Sequence, residues 1–181
     1  MFAYNNGLMS GKSETAEGKL FDPSASITRA EFVRILYNKE GTPDVEYSDV
    51  FTDVPEGEWF TKAILWAHKN EIVSGKGEGL FDVNGEITRL EIAQILYKYA
   101  VYKEYDVTSK ASTDLIGFVD GDTLVWGQTA MKWATGYNVV TGKTAEDGSG
   151  IEIAPNGSAI RAEAATMVYK VMAAYEGATL E

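Results

Sequence analysis

The chain has 181 residues, with 27 acidic against 16 basic side chains, a formal net charge of −11, one histidine and no cysteine. This balance argues against general binding to a phosphate backbone, which needs basic surface to release counterions. Zero cysteines exclude disulfides, thiolate zinc sites and cysteine nucleophiles. At 45% hydrophobic and 12% aromatic, the chain can build a sizeable core, while no apolar run approaches the ~20 residues of a membrane helix. Neither a nucleic-acid partner nor membrane insertion is expected.

The sequence repeats itself, and its elements follow from the repeats. Phe2-Ala3, Asn6 and Ser10-Gly11-Lys12 read as the end of a helix and the loop after it, so Met1 falls inside that helix. Phe21-Asp22-Pro23 then leads to Ile27-Thr28-Arg29-Ala30-Glu31 and Ile35-Leu36-Tyr37. Thr28-x-x-Glu31 is a capping box that starts a second helix. A polar linker covers about 39–50.

Phe51-Thr52-Asp53-Val54 opens a fuller copy. Trp59, Ala63, Trp66 and Ala67 lie on one face of a predicted helix. Gly75, Gly77 and Gly79 break it, and Ile87-Thr88-Arg89-Leu90-Glu91 starts the next capped helix. A second polar linker covers about 102–117. Phe118-Val119-Asp120-Gly121, Trp126, Ala130, Trp133-Ala134 and Thr141-Gly142-Lys143 repeat the block at a constant offset of 67. Ala159-Ile160-Arg161-Ala162-Glu163 closes the third copy. Ile160 replaces the capping threonine, so this cap is expected to be lost or rearranged, with Ser158 as a substitute.

The resulting organisation is residues 1–50 for a first repeat lacking its opening half, 51–117 for the second, 118–179 for the third, and 180–181 as a vector-derived tail. Each unit reads as helix, loop, helix, an all-α chain.

Arginine usage is the sharpest clue to chemistry. Of four arginines, Arg29, Arg89 and Arg161 occupy one equivalent position per repeat. A guanidinium offers a planar fork of donors suited to a carboxylate. Two readings stay open: contact with an external anion, or an internal role in which each arginine pairs with a glutamate or caps a neighbouring repeat. Lys12, Lys76 and Lys143 form a second threefold set, read either as solvated loop lysines or as ligand contacts. Asp53 and Asp120 precede the helix and serve either as cap or turn residues or as ligand contacts. Trp59, Trp66, Trp126 and Trp133 could stack on a sugar, although helical spacing points to the core.

Other signals carry no chemistry. Asp82-Val83-Asn84-Gly85-Glu86 lacks the ligand order of a calcium loop. Lys76-Gly77-Glu78-Gly79 lacks the ending of a phosphate loop. His68 reads as a half-exposed helix residue. No carboxylate pair forms an acid/base couple. The chain is expected to be no enzyme and to hold no cofactor or metal.

Taken together, Phe51-Thr52-Asp53-Val54, Trp59, the Gly75–Gly79 stretch, Phe21-Asp22-Pro23 and Ile27-Thr28-Arg29-Ala30-Glu31 resemble the S-layer homology family over essentially the whole chain. The resemblance implies three repeats in a pseudo-threefold arrangement, with a central three-helix bundle and grooves between repeats. It implies an extracellular module that anchors surface proteins noncovalently to an anionic wall polysaccharide bearing ketal-linked pyruvate. It also implies groove binding by Arg29, Arg89 and Arg161. The groove at Arg89 is the first expectation, and Arg89→Ala is expected to weaken polymer binding by ~1.5–3 kcal/mol with little loss of helicity. The rival reading is self-association, through apolar surface left around Phe2, Leu8 and Met9 by the missing half-repeat.

Overall fold

The structure is a computed structural model, and it describes residues 2–15, 18–112 and 114–179. Met1 and the expected tail, Leu180 and Glu181, lie outside these residues. Helices dominate, in line with the all-α expectation: α1 (Phe2–Asn5), α2 (Arg29–Lys39), α3 (Thr61–Lys69), α4 (Arg89–Tyr102), α5 (Gln128–Gly136) and α6 (Arg161–Glu176). The sequence reading did not anticipate two short antiparallel hairpins in the loops after Lys12 and Gly142. One joins β1 (Ser13–Thr15) to β2 (Gly18–Leu20), and the other joins β3 (Lys143–Thr144) to β4 (Ile151–Glu152). In the second repeat the same loop is shorter and closes with a single bridge between Gly77 and Leu80.

Backbone contacts divide the chain into two compact units. One runs through residue 87 and takes in 159–165; the other comprises 88–158 and 166–179. In the first unit α2 packs on α3. Tyr37 and Trp66 meet with ring centroids 5.8 Å apart, and Phe51 lies against Phe81 and against His68. His68 is half-exposed, as expected. In the second unit α4 packs on α5, with Tyr97 edge-on to Trp133. The polar linker after α4 is tied down here. Tyr175 stacks between Tyr105 and Tyr137, and the hydroxyls of Tyr137 and Tyr175 both donate to the Asp106 carbonyl.

The capping boxes form as read. Thr28 and Thr88 accept from the amides of Glu31 and Glu91, whose carboxylates accept in return from the cap amides. Such a cap contributes about 1 kcal/mol. At Ile160 half of the box survives, with the Ile160 amide donating to Glu163 Oε2 at 3.1 Å.

Each capped helix starts on the loop of another repeat. The Arg29 amide donates to the Gly85 carbonyl, Arg89 to Gly157, and Arg161 to Ala25. The helix start at 27–31 thus docks on the loop at 81–85, that at 87–91 on the loop at 153–157, and that at 159–163 on the loop at 21–25. Two residues upstream of each arginine, Ile27, Ile87 and Ala159 close a cycle: Ile27 donates to Ala159, Ala159 to Ile87, and Ile87 to Ile27.

Each docking loop needs its own support, because its middle residue adopts left-handed backbone. Asp22, Asp82 and Ala154 have φ of 51°, 68° and 51°. In the second repeat Asp53 supplies that support. Its carboxylate accepts from the amides of Phe81, Asp82 and Val83 at 2.8, 2.7 and 3.1 Å. In the third, Asp120 accepts from Ile153 and Ala154, both at 2.8 Å. The third donor is missing there because Pro155 has no N–H.

Partial desolvation opposes ionisation of Asp53, but the backbone donors outweigh it and hold the carboxyl below its ordinary value. Its contribution to stability is therefore complete above the unfolded-state value near 3.8 and is lost as pH falls through the lower folded value. Asp53→Asn is expected to cost ~1–2 kcal/mol at neutral pH, measured by urea unfolding. The cost should shrink as pH is lowered below 3.8, and a pH-independent difference would refute the clamp.

Candidate functional site

The three equivalent arginines are buried. Arg29, Arg89 and Arg161 retain 5%, 7% and 4% of their exposure. Each starts its helix and sends its side chain into the loop on which that helix docks. Arg29 Nε donates to Phe81 O at 3.0 Å and Nη2 to Ser74 O at 3.3 Å. Arg161 repeats this with Phe21 O at 2.9 Å and Ser10 O at 2.7 Å. Arg89 Nε donates to Ile153 O at 2.8 Å. Two of the guanidinium groups also stack on the loop phenyl ring, 4.8 Å from Phe81 and 5.0 Å from Phe21. Of the two readings left open, the internal role is present: the arginine caps the loop of a neighbouring repeat. Lysine cannot do this, because one ammonium does not reach two carbonyls in a plane and stack at once.

Arg161 nevertheless reaches a cleft. A depression of about 370 Å³ in the first unit is lined by Lys12, Glu31, Arg34, Asn38, Trp59 and Arg161, with Ser10 and Gly11 at its loop edge. Arg161 Nη1 stands 3.7 Å from Glu31 Oε1. Lys12 is exposed and donates to the Ser26 carbonyl at 3.3 Å. Three cationic side chains therefore face one carboxylate in a chain of net charge −11.

Sequence reasoning missed Arg34, the arginine outside the repeated position. It is half-buried, with Nε donating to Asn38 Oδ1 at 2.9 Å and Nη1 to Trp59 O at 2.6 Å. Among the described residues Nη2 has no acceptor, which leaves one guanidinium edge for a ligand. The available signal was its oddity, since the equivalent positions hold Gln94 and Thr166.

The tryptophans divide. Trp66 and Trp133 are core, at 4% and 0% exposure, whereas Trp59 and Trp126 are 53% and 49% exposed. The predicted helix from Trp59 begins instead at Thr61, and its counterpart begins at Gln128, after Trp126. Both indoles precede their helices and escape the core-facing stripe. Only Trp59 lines the cleft at Arg161.

Asp53 and Asp120 have their carboxylates engaged by loop amides. They hold the loops that receive Arg29 and Arg89. Lys76 and Lys143 are exposed on their loops, with Lys143 4.0 Å from Glu152. In the second unit a further cation lies near Arg89. Lys170 is half-buried and donates to Thr141 Oγ1 at 3.3 Å; burial and then the Arg89 charge hold its ammonium below the ordinary lysine value. The loop beside it needs Gly142, whose φ is +42° and where a Cβ would meet Ile151 Cγ2 at 2.5 Å and Glu152 O at 2.9 Å. The apolar surface expected at Leu8 and Met9 is not there. Both are buried, at 4% and 7%, while the side chain of Phe2 lies outside the described residues.

Residues 50–93, which run from the Asp53 clamp through Trp59 to the Arg89 helix start, match the family model described as the S-layer homology domain. This stretch is an S-layer homology domain. Relatives extend the likeness beyond it. An amylopullulanase of Thermoanaerobacterium thermosulfurigenes is 30% identical over 84% of the chain, and an S-layer protein of Bacillus thuringiensis subsp. finitimus is 28% identical over 83%. A cellulosome-anchoring protein of Acetivibrio thermocellus is 33% identical over 45%. The chain spans only 8%, 17% and 19% of these proteins, respectively. The enzyme among them is matched over a small part of its length, so its name carries no activity to the S-layer homology region.

Because Arg161 holds two carbonyls from a buried position, Arg161→Ala is expected to lower unfolding stability by ~1.5–3 kcal/mol, and Arg161→Lys to recover little of it. Trp59→Ala should stay within ~0.5 kcal/mol of wild type, as a largely exposed side chain. Urea titrations followed by circular dichroism would check both. The same burial corrects the expectation for Arg89→Ala, which must disturb the loop at Ile153 as well as any groove.

Proposed function

We propose that the chain is a noncatalytic anchoring module that holds its parent protein at a bacterial cell surface by binding an anionic wall polysaccharide. The observation that carries this reading is the cleft in which Lys12, Arg34 and Arg161 converge beside an exposed indole. A carboxylate on a sugar, such as a pyruvate ketal, would take the open edge of Arg34 and the ammonium of Lys12. The sugar ring would lie on Trp59, whose face stacks on apolar C–H surface. Family membership of residues 50–93 and the surface-associated relatives support the cell-surface location.

The predicted site residues then have different duties. Lys12, Lys76 and Lys143 contact polymer from their loops. Arg29, Arg89 and Arg161 set the loop geometry with Nε and Nη2 where these are engaged, and contribute positive potential at the groove. Asp53 and Asp120 act through the loops they hold. At Arg89, an incoming carboxylate would be met by Lys170, whose ammonium burial and then the Arg89 charge hold below the ordinary lysine value.

Pull-down with purified wall polymer, native and chemically stripped of pyruvate, tests the proposal. Native polymer should retain the protein and stripped polymer should not. Arg34→Ala should reduce retention about tenfold or more, the worth of one or two charge-assisted hydrogen bonds, with the helical circular-dichroism signal retained although the lost bonds to Asn38 and Trp59 lower the unfolding midpoint. Equal retention on both polymers would refute the role of the ketal, and retention on neither would refute anchoring through this polymer.

A further inference from the structure

The segment leading into α5 exposes large apolar side chains that the fold does not demand. Ile116 and Val125 are 87% and 95% exposed, although their chain neighbours Leu115 and Leu124 are buried. The buried leucines anchor the segment, so the fold itself holds the two exposed side chains outward. Val119, Trp126 and Ile151 add to the same surface, each about half exposed. Val119 and Ile151 are neighbours, since the Val119 amide donates to the Ile151 carbonyl at 2.9 Å.

The second repeat supplies the comparison. At the offset of 67, Asp49, Thr52 and Glu58 stand where the third repeat has Ile116, Val119 and Val125. The Thr52 amide donates to the Gly79 carbonyl as Val119 does to Ile151, so Gly79 is the counterpart of Ile151. Four positions that are polar or bare in one repeat are thus apolar in the other, on the same hydrogen-bond pattern. The second repeat builds its aspartate clamp and its helix without these apolar groups. Single exposed apolar side chains are ordinary, but a group of them on one surface marks a face that something covers.

Shape and charge say what covers it. A depression of about 500 Å³ lies here within the second unit, with Leu115, Ile116, Phe118 and Val119 as its apolar lining. Val125 sits on the chain between Asp122 and Gln128, which line the same depression, and Gln128 Nε2 donates to the Leu124 carbonyl at 3.1 Å. One surface therefore carries both an apolar projection and an apolar recess, the self-complementarity that a twofold interface needs. The lining also carries both signs of charge, Lys132 with Asp114 and Asp122. Among the described residues the side chains of Lys132 and Asp122 make no ion pair. Across a twofold axis each Lys132 would meet the other copy's Asp122, and the pair would form twice. That offsets the repulsion between two chains of net charge −11, whereas a partner of one sign would leave one of the two groups facing a like charge. We propose that this face of the third repeat is a homodimer interface, in which Val125 of each copy enters the depression of the other and Lys132 pairs with Asp122. The inference does not rest on the anchoring reading, and its surface is distinct from the one expected at Leu8 and Met9.

Sedimentation equilibrium of the whole chain tests this. The average mass of the wild type should rise from the monomer value toward twice that value between ~1 μM and ~1 mM, the range of small interfaces. Ile116→Asp together with Val125→Glu, which install the side chains that the second repeat carries, should weaken dimerisation about tenfold or more. The helical circular-dichroism signal should be retained. Charge reversal probes the twofold itself and leaves the net charge of the doubly changed chain as it was. Lys132→Glu and Asp122→Lys should each weaken the dimer severalfold, and the two in one chain should restore it. A wild type that stays monomeric throughout, or a mass that climbs past the dimer, overturns the proposal. So does equal association of the chain with Ile116→Asp and Val125→Glu, or a double reversal that dimerises no better than the single ones.

Discussion

A buried guanidinium that donates to backbone carbonyls of another repeat is the interaction on which the rest depends. Arg29 and Arg161 each hold two loop carbonyls and stack on a phenyl ring, and Arg89 holds a third loop. Burying a charge this deeply is costly unless its donors are satisfied. The loop carbonyls, in turn, would be poorly solvated without the arginine. The two requirements settle each other, and the settlement places the start of one repeat's helix on the loop of the next. The cleft at Arg161 follows from that placement, since Ser10 and Gly11 of the loop that Arg161 holds form its edge.

The acidity of the chain takes its meaning from this arrangement. The cleft gathers Lys12, Arg34 and Arg161 within a molecule of net charge −11. On the proposed anchoring reading, this local positive potential admits an anion that can enter the cleft and discourages polyanions that only approach the surface. A neighbouring depression, richer in carboxylates than cations, bounds the positive zone at Trp59. Two adjoining surfaces of different charge balance thus share Arg34 and Trp59.

Much of the fold was legible because the repeats expose their own logic. Capping boxes at Thr28 and Thr88 announce helix starts by local chemistry alone, and both form. The tripled arginine announced a shared role, but not which one, because Nε has no sequence signature for its acceptor. That acceptor is a backbone carbonyl 52, 64 or 140 residues away. Trp59 was misplaced for a related reason. Its spacing to Ala63 and Trp66 is helical, yet the helix begins two residues later, so the periodicity held while the conformation did not. Arg34 escaped notice because repetition draws attention to what recurs, whereas the cleft uses a residue that does not. The role of Asp53 was half-legible: an acceptor of loop amides, as its position suggested, but for a loop 28 to 30 residues away instead of its own.

The cyclic docking also has a consequence for how the chain reaches its native state. The third repeat settles on the first, and the Arg161 bond to Ser10 spans 151 positions. Closing so long a loop carries an entropic cost that no local contact offsets, and topologies rich in such contacts fold slowly. During synthesis the second repeat's loop is available to Arg29 early, whereas the first repeat's loop must wait for Arg161 to emerge. The carbonyls of Ser10 and Phe21 stay uncapped until Arg161 has been made. The loop that holds Ser10 is thus made before the loop that holds Ser74, yet capped after it.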